Sequence, residues 1–222
     1  MLTAPSPLRG FNTNTNMTST ISNIKVLIFG HPGSGTHYVS KLLEAYKIRV
    51  GHESMLPNGI CSWSHVHCVP VGHELDLYAY SIPRRPDDKF DITIHLVRNP
   101  WNSIGNIIKE NEDDISYKFR RTIIKYHFSV DLDDYSVIDR AALSYIYWNQ
   151  LAEMQKPDYR VFVRVKVEEA QDEFPVILQY VKNPNYHVSQ TIGTKSNKVT
   201  EFDEMSPRIY QMLQELAEKY GY

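Results

Sequence analysis

Apolar positions along the chain follow two different periods. The stretches "IKVLIFG" (24–30), "DITIHLVR" (91–98) and "YRVFVRV" (159–165) are short, nearly unbroken apolar runs rich in β-branched residues. Runs of this kind predict strands buried on both faces of a parallel sheet. Between them the apolar residues switch to helical spacing. Val39, Leu42, Leu43 and Tyr46 share one face of a helix over 36–47, and "NPWNSIGNIIKE" (99–110) reads as a second helix with Pro100 near its first turn. Ile115, Phe119, Ile123 and Tyr126 mark one face over 115–128; Leu143, Ile146, Tyr147, Leu151 and Met154 mark one over 141–154. These two helices are expected to cover one side of the sheet. Another helix is expected from about 173 to 182. The last helix has Ser206 as N-cap, Pro207 at the first position, and Ile209, Leu213, Leu216 and Tyr220 at helical spacing. Strands alternating with helices predict an α/β fold of three layers, a mainly parallel central sheet flanked by helices. The expected domain is 24–222, with a helical insertion around 111–155.

Length and composition narrow the picture. A chain of 222 residues can bury one full hydrophobic core. A formal charge of -2 gives no reason to expect a nucleic-acid partner. No apolar run approaches the ~18 residues of a membrane span, so no membrane partner is expected. The first 23 residues hold one arginine and no acidic residue, lack the apolar stretch of a signal peptide, and read as a flexible polar tail. Cys61 and Cys68 make no disulfide framework and read as reduced thiols of a cytoplasmic protein. His65, His67 and Cys68, with Cys61 and His73 near them, are zinc-ligand types, but their spacing fits no closed structural pattern and no metal is expected. Trp63 and Trp101 are assigned to packing.

Candidate chemistry begins at "FGHPGSGTHYVSKLL" (29–43), a glycine-rich turn between a predicted strand and a predicted helix. Gly33 and Gly35 let the chain curl so that successive N–H groups converge, and the helix adds its N-terminal donors and dipole. Ser34 and Thr36 add hydroxyls. Thr36 stands where a Walker-type loop has its lysine, so the loop suits holding a phosphate better than transferring one. Arg98 ends the second long strand and is a charged fork suited to phosphate. Asn106, eight residues on, lies about two helical turns away. Ligands of open α/β sheets bind outside the carboxyl ends of the strands. Two anion sites on that edge point to a ligand with two separated phosphate-like groups.

These segments together resemble the sulfotransferases that use 3′-phosphoadenosine 5′-phosphosulfate (PAPS). Pro32-Gly33-Ser34-Gly35-Thr36 resembles the family's P-[KR]-S-G-T loop, and Arg98-Asn99-Pro100 its R-[DN]-P segment. "VFVRVKVEEA" and the closing "MSPRIYQMLQELAEKYGY" are similar to the family's third strand and last helix, so the likeness covers most of 24–222. Gly33 stands where the family has a basic residue, and Asn106 where it has a serine; His31, His37 or a lysine elsewhere are candidates for the missing charge. The resemblance implies a P-loop-type fold with PAPS as donor and 3′,5′-adenosine bisphosphate as product. It implies that Pro32, Gly33, Ser34, Gly35, Thr36 and His37 hold the 5′ end, and that Arg98 and Asn106 hold the 3′-phosphate. Lys195 and Lys198 would lie in a closing basic segment. Tyrosylprotein and glycan-type members place a glutamate base where Glu53 stands, 17 residues after Thr36. His52 is the alternative, since successive side chains at a strand end point opposite ways and only one faces the pocket. The acceptor, a hydroxyl or amine of a glycan, peptide or small molecule, has no signature in the walls expected at 55–85 and 111–135. Two other readings stay open: a nucleotide or small-molecule kinase, and a non-catalytic nucleotide-binding protein of the same fold.

Overall fold

The computed structural model describes residues 24–66, 89–112, 114–154, 161–182, 202 and 204–222. Strands β1 (Val26–Phe29), β2 (Gly51–His52), β3 (Gly59–Cys61), β4 (Ile92–Val97) and β5 (Phe162–Lys166) form one wholly parallel sheet in the order β2-β3-β1-β4-β5. Among the described residues six α-helices flank it: α1 (Thr36–Ala45), α2 (Pro100–Glu110), α3 (Asp114–Phe128), α4 (Val137–Met154), α5 (Ala170–Lys182) and α6 (Pro207–Lys219). The expected three-layer α/β arrangement is what the chain forms.

The period of two in β1 divides the interior. Leu27 and Phe29 enter a core shared with α2, α3, α4 and α6, while Val26 and Ile28 enter one shared with α1 and α5. Burying side chains of this size on both faces contributes about 1.5–3 kcal/mol each. It also explains why β1 and β4 read as continuous apolar runs rather than alternating ones. Even the polar residues of β4 are enclosed: the His95 ring bonds Asn149 Oδ1 at 2.8 Å.

This layering positions the site. β1 leads into α1 on one face, and its neighbour β4 leads into α2 on the other. Two adjacent parallel strands whose crossovers diverge leave a crevice at their carboxyl ends. The loop after β1 and the Arg98–Asn99 corner after β4 both open there.

The local readings differ from the structure at a few places. Phe119 and Ile123 of α3 are buried as expected, but Ile115 and Tyr126 face solvent, and Ser116, Arg120 and Ile124 are buried instead. The buried face is thus rotated toward a polar pair that a hydrophobic count passes over. Met154 is likewise exposed, while α4 buries Ala141, Ala142, Tyr145 and Trp148 beside the expected Leu143, Ile146 and Leu151. α5 begins at Ala170, earlier than 173, and carries Pro175 within it. β3 was not expected; it is only three residues long. Ser206 is the N-cap of α6, but its hydroxyl bonds Asp139 rather than the helix. Residues 159–160 of the expected third strand lie outside the described residues. Among the described residues no helix is long and apolar enough to cross a membrane.

Candidate functional site

The loop after β1 is set by three glycines. A Cβ on Gly30 would collide with the Leu96 carbonyl and come within 2.5 Å of Ser34 Oγ, so only glycine lets β4 and the returning loop approach. Ser34 N–H closes the turn on the His31 carbonyl at 2.9 Å. Gly33 and Gly35 have φ of +82° and +96°, which glycine adopts without strain. The first bond of α1 runs from Val39 N–H to the Gly35 carbonyl at 3.0 Å. The N–H groups ahead of it are the unpaired donors of a helix start. The N-cap, Gly35, has no side chain to cap them, and no acidic residue stands in the first turn. Ser34 Oγ is buried and has no partner among the described residues. A Cβ at Gly33 would meet nothing within 4 Å among the described residues. Helix-start donors beside an open position fit an anionic group, with the buried Ser34 hydroxyl left unpartnered behind them.

A buried chain of hydrogen bonds supports the loop from below. His31 Nδ1 lies 2.7 Å from the Pro32 carbonyl and Nε2 lies 3.0 Å from Ser144 Oγ. Arg120, fully buried, donates its Nε–H to the same Ser144 Oγ at 3.3 Å. Arginine only donates and a carbonyl only accepts, so the directions follow: Arg120 to Ser144, Ser144 to His31 Nε2, and His31 Nδ1–H to Pro32. Burial, with the Arg120 charge next, pushes the His31 pKa well below its ordinary value. His31 is therefore neutral at pH 7 and cannot be the missing loop charge. Arg120 also reaches Ser116 Oγ at 2.5 Å and Asn111 Oδ1 at 2.7 Å.

The corner after β4 is anchored on both sides. The Arg98 carbonyl accepts from the Tyr145 hydroxyl, and Asn99 N–H donates to Glu168 Oε1 at 3.0 Å. Asn99 Oδ1 caps α2 by accepting from Trp101 N–H at 3.0 Å. The half-buried Arg98 side chain is not remote from the first loop: its Nη1 donates to the Gly33 carbonyl at 3.0 Å. The two expected anion sites thus share one corner. Asn106 is exposed on α2.

Glu53 and His52 come together in a way strand alternation forbids. β2 stops at His52, and Glu53 takes a left-handed φ of +52°. Outside the strand the opposite-facing rule lapses, and Glu53 Oε1 lies 4.0 Å from His52 Nε2. Glu53 is held by the end of β3: Oε2 accepts from Ser62 Oγ at 2.5 Å and Oε1 from Trp63 N–H at 3.1 Å. Burial raises its pKa, only partly offset by those two bonds. His52 is lowered, first by burial and then by His37, whose ring centroid is 5.2 Å away. Its neutral ring makes no ion pair with Glu53 at pH 7. His52 Nε2 instead meets Thr36 Oγ1 at 3.2 Å, at the first residue of α1. Cys61 is a buried free thiol whose pKa is pushed well up by burial and then by Glu53, so it is unreactive.

The structure therefore joins Gly33 to Arg98, and Thr36 to His52 and Glu53, on the carboxyl edge of the sheet. Pro32 is buried and His37 exposed beside His52. Trp63 packs on Phe119 and Trp148, and Trp101 on Phe202 and Tyr210, as expected of core residues. Lys195, Lys198, Cys68, His67 and His73 lie outside the described residues. Among the described residues no group of three His, Cys, Asp or Glu is placed to hold a metal ion. Sequence reasoning missed Arg120, Ser144 and Tyr145, which sit on helices read only as sheet cover. It also missed Glu168, whose strand-end position in "VKVEEA" was the available signal. No family model, no curated protein and no solved structure matches the chain.

Proposed function

We propose that the chain is a sulfotransferase that takes sulfonate from PAPS and passes it to a hydroxyl or amine acceptor. One observation carries the reading: a lysine-free glycine loop with uncapped helix-start donors and a half-buried carboxylate with a raised pKa stand on the same edge of the sheet. Bound in the cradle, the donor would supply a sulfonate group on a phosphate leaving group. The first-turn N–H groups of α1 and the Arg98 guanidinium meet the negative charge on phosphate. Glu53 takes the acceptor's proton, for which its raised pKa makes it a stronger base than an exposed glutamate. Ser62 and Trp63 fix the carboxylate while leaving each oxygen a second lone pair. The bond from His52 to Thr36 keeps the neutral ring against α1 beside that carboxylate.

The test is melting of the protein with 3′,5′-adenosine bisphosphate and, separately, with ATP and magnesium. A ligand at about 100 times its dissociation constant adds about 2.7 kcal/mol of stability. The bisphosphate should give the larger shift. A larger shift with ATP and magnesium would overturn the reading in favour of a kinase.

A further inference from the structure

The loop at 30–36 has the donors of a phosphate cradle but no cation of its own. His31 is neutral, and Arg120 is sealed beneath the loop. Lys41, on α1, is exposed and paired with Glu44 at 3.0 Å. Lys166 is committed to the Gly221 carbonyl at 2.9 Å and to Glu169 at 3.4 Å. Arg98 alone, among these, reaches the loop at its open side. Its Nη1 donates to the carbonyl of Gly33, the residue whose side-chain direction meets no described residue. No carboxylate among the described residues pairs with it. A guanidinium has five N–H donors, so one bond to a carbonyl leaves four for a ligand. The mount is rigid, since the Tyr145 hydroxyl holds the Arg98 carbonyl and Glu168 holds the next N–H.

We infer that Arg98 is the cation of the phosphate loop, supplied from the end of β4 to the group bound at α1, rather than a reader only of a second, distant phosphate. The inference rests on the cradle being an anion site and deepens the donor-binding reading. It changes one expectation: a ligand with no 3′-phosphate must also depend on Arg98. It also makes positions 33 and 98 interchangeable as sources of charge. A lysine at Gly33 meets no atom within 4 Å at its Cβ, though its φ of +82° strains any side chain.

The experiment is calorimetric titration of wild type, Arg98→Ala, Arg98→Gln, Gly33→Lys and the Gly33→Lys/Arg98→Ala double variant. The probes are inorganic pyrophosphate, which has neither adenosine nor a 3′-phosphate, and 3′,5′-adenosine bisphosphate. Melting of each variant checks the fold, and Arg98→Gln keeps a donor for the Gly33 carbonyl while removing the charge. Pyrophosphate should bind about tenfold or more weakly to both Arg98 variants, the scale of a lost charge-assisted hydrogen bond. Lysine at position 33 should restore most of that loss in the double variant and change little on its own. Full pyrophosphate affinity in Arg98→Gln, or no rescue by the lysine, overturns the inference. If wild type binds pyrophosphate but not the bisphosphate, the donor reading fails while the pyrophosphate series still decides the role of Arg98. If wild type binds neither, both fail.

Discussion

Gly33 and Gly35 offer a matched pair of perturbations two residues apart. Both have left-handed φ, +82° and +96°, so alanine at either pays the same kind of backbone strain, about 1–2 kcal/mol. They differ in space. Among the described residues a Cβ at Gly33 meets nothing within 4 Å, whereas one at Gly35 comes within 2.5 Å of Val167 Cγ2. Val167 follows β5 and packs on the core beneath α1, so it cannot retreat freely. Overpacking of this sort adds about 1–3 kcal/mol. Gly33→Ala should therefore cost about 1–2 kcal/mol and Gly35→Ala about 2–5 kcal/mol. Val167→Ala removes the offending methyl and leaves Val167 Cβ at 3.5 Å, an ordinary contact. The Gly35→Ala/Val167→Ala variant should then be more stable than the sum of the single changes by about 1 kcal/mol or more. Urea unfolding measures all four, read from midpoints at unchanged slope. Equal losses at the two glycines, or additivity within about 0.5 kcal/mol, would refute the packing of β5's end against the loop.

Two further outcomes bear on the site. Glu53→Gln keeps size but cannot take a proton, so it should lower turnover about 100-fold or more while donor affinity stays nearly unchanged. In wild type the acid limb of the rate should lie above the ordinary glutamate range, because burial raises the Glu53 pKa, and the limb should vanish in the variant; an active Glu53→Gln enzyme with the same limb would move the base elsewhere. His31 is held neutral in the fold, so the stability tied to it is present above its unfolded pKa of about 6.5 and is lost as pH falls. Each pH unit below 6.5 at which His31 stays neutral in the fold costs about 1.4 kcal/mol. His31→Asn should flatten the acid loss of stability by up to that slope. Glu173, raised to about 7 chiefly by burial, gains stability in the same window as pH falls, but equally in both proteins. Parallel urea-midpoint curves from pH 7 to 5.5 would refute a neutral buried His31.

The layers were legible because they depend on period and burial, which the sequence states directly. "VLIF" and "ITIHLV" are short, β-branched apolar runs that read as buried strands, and the 3.6-residue repeat of α6 reads as a helix. The glycine loop and Arg98 were legible as strand-end features. The pairing of Arg98 with Gly33 was not, since it requires knowing that β1 and β4 are neighbours. Nor was the meeting of His52 and Glu53, which depends on one residue leaving extended geometry at the end of a two-residue strand. Arg120 was invisible for a different reason. A hydrophobic count treats arginine as solvent-facing, yet this one is buried on α3 because Ser116, Asn111 and Ser144 accept its hydrogen bonds.

The proposed phosphate cradle needs positive potential, and a lysine within the motif would supply it locally, in a form that a motif search detects. Two arginines from other elements are tied to the loop instead. Arg98 reaches the rim from the end of β4, and Arg120 stands below, joined to Pro32 through Ser144 and His31. The buried one polarises a one-way chain of donors that ends on the Pro32 carbonyl, so one lone pair of that carbonyl is engaged beneath the loop. The half-exposed one can give the fork of donors that a ligand meets. Backbone N–H groups then need only complete the cradle. On the proposed reading the charge enters from beside Gly33, the exposed residue of the loop, whose carbonyl Arg98 already meets.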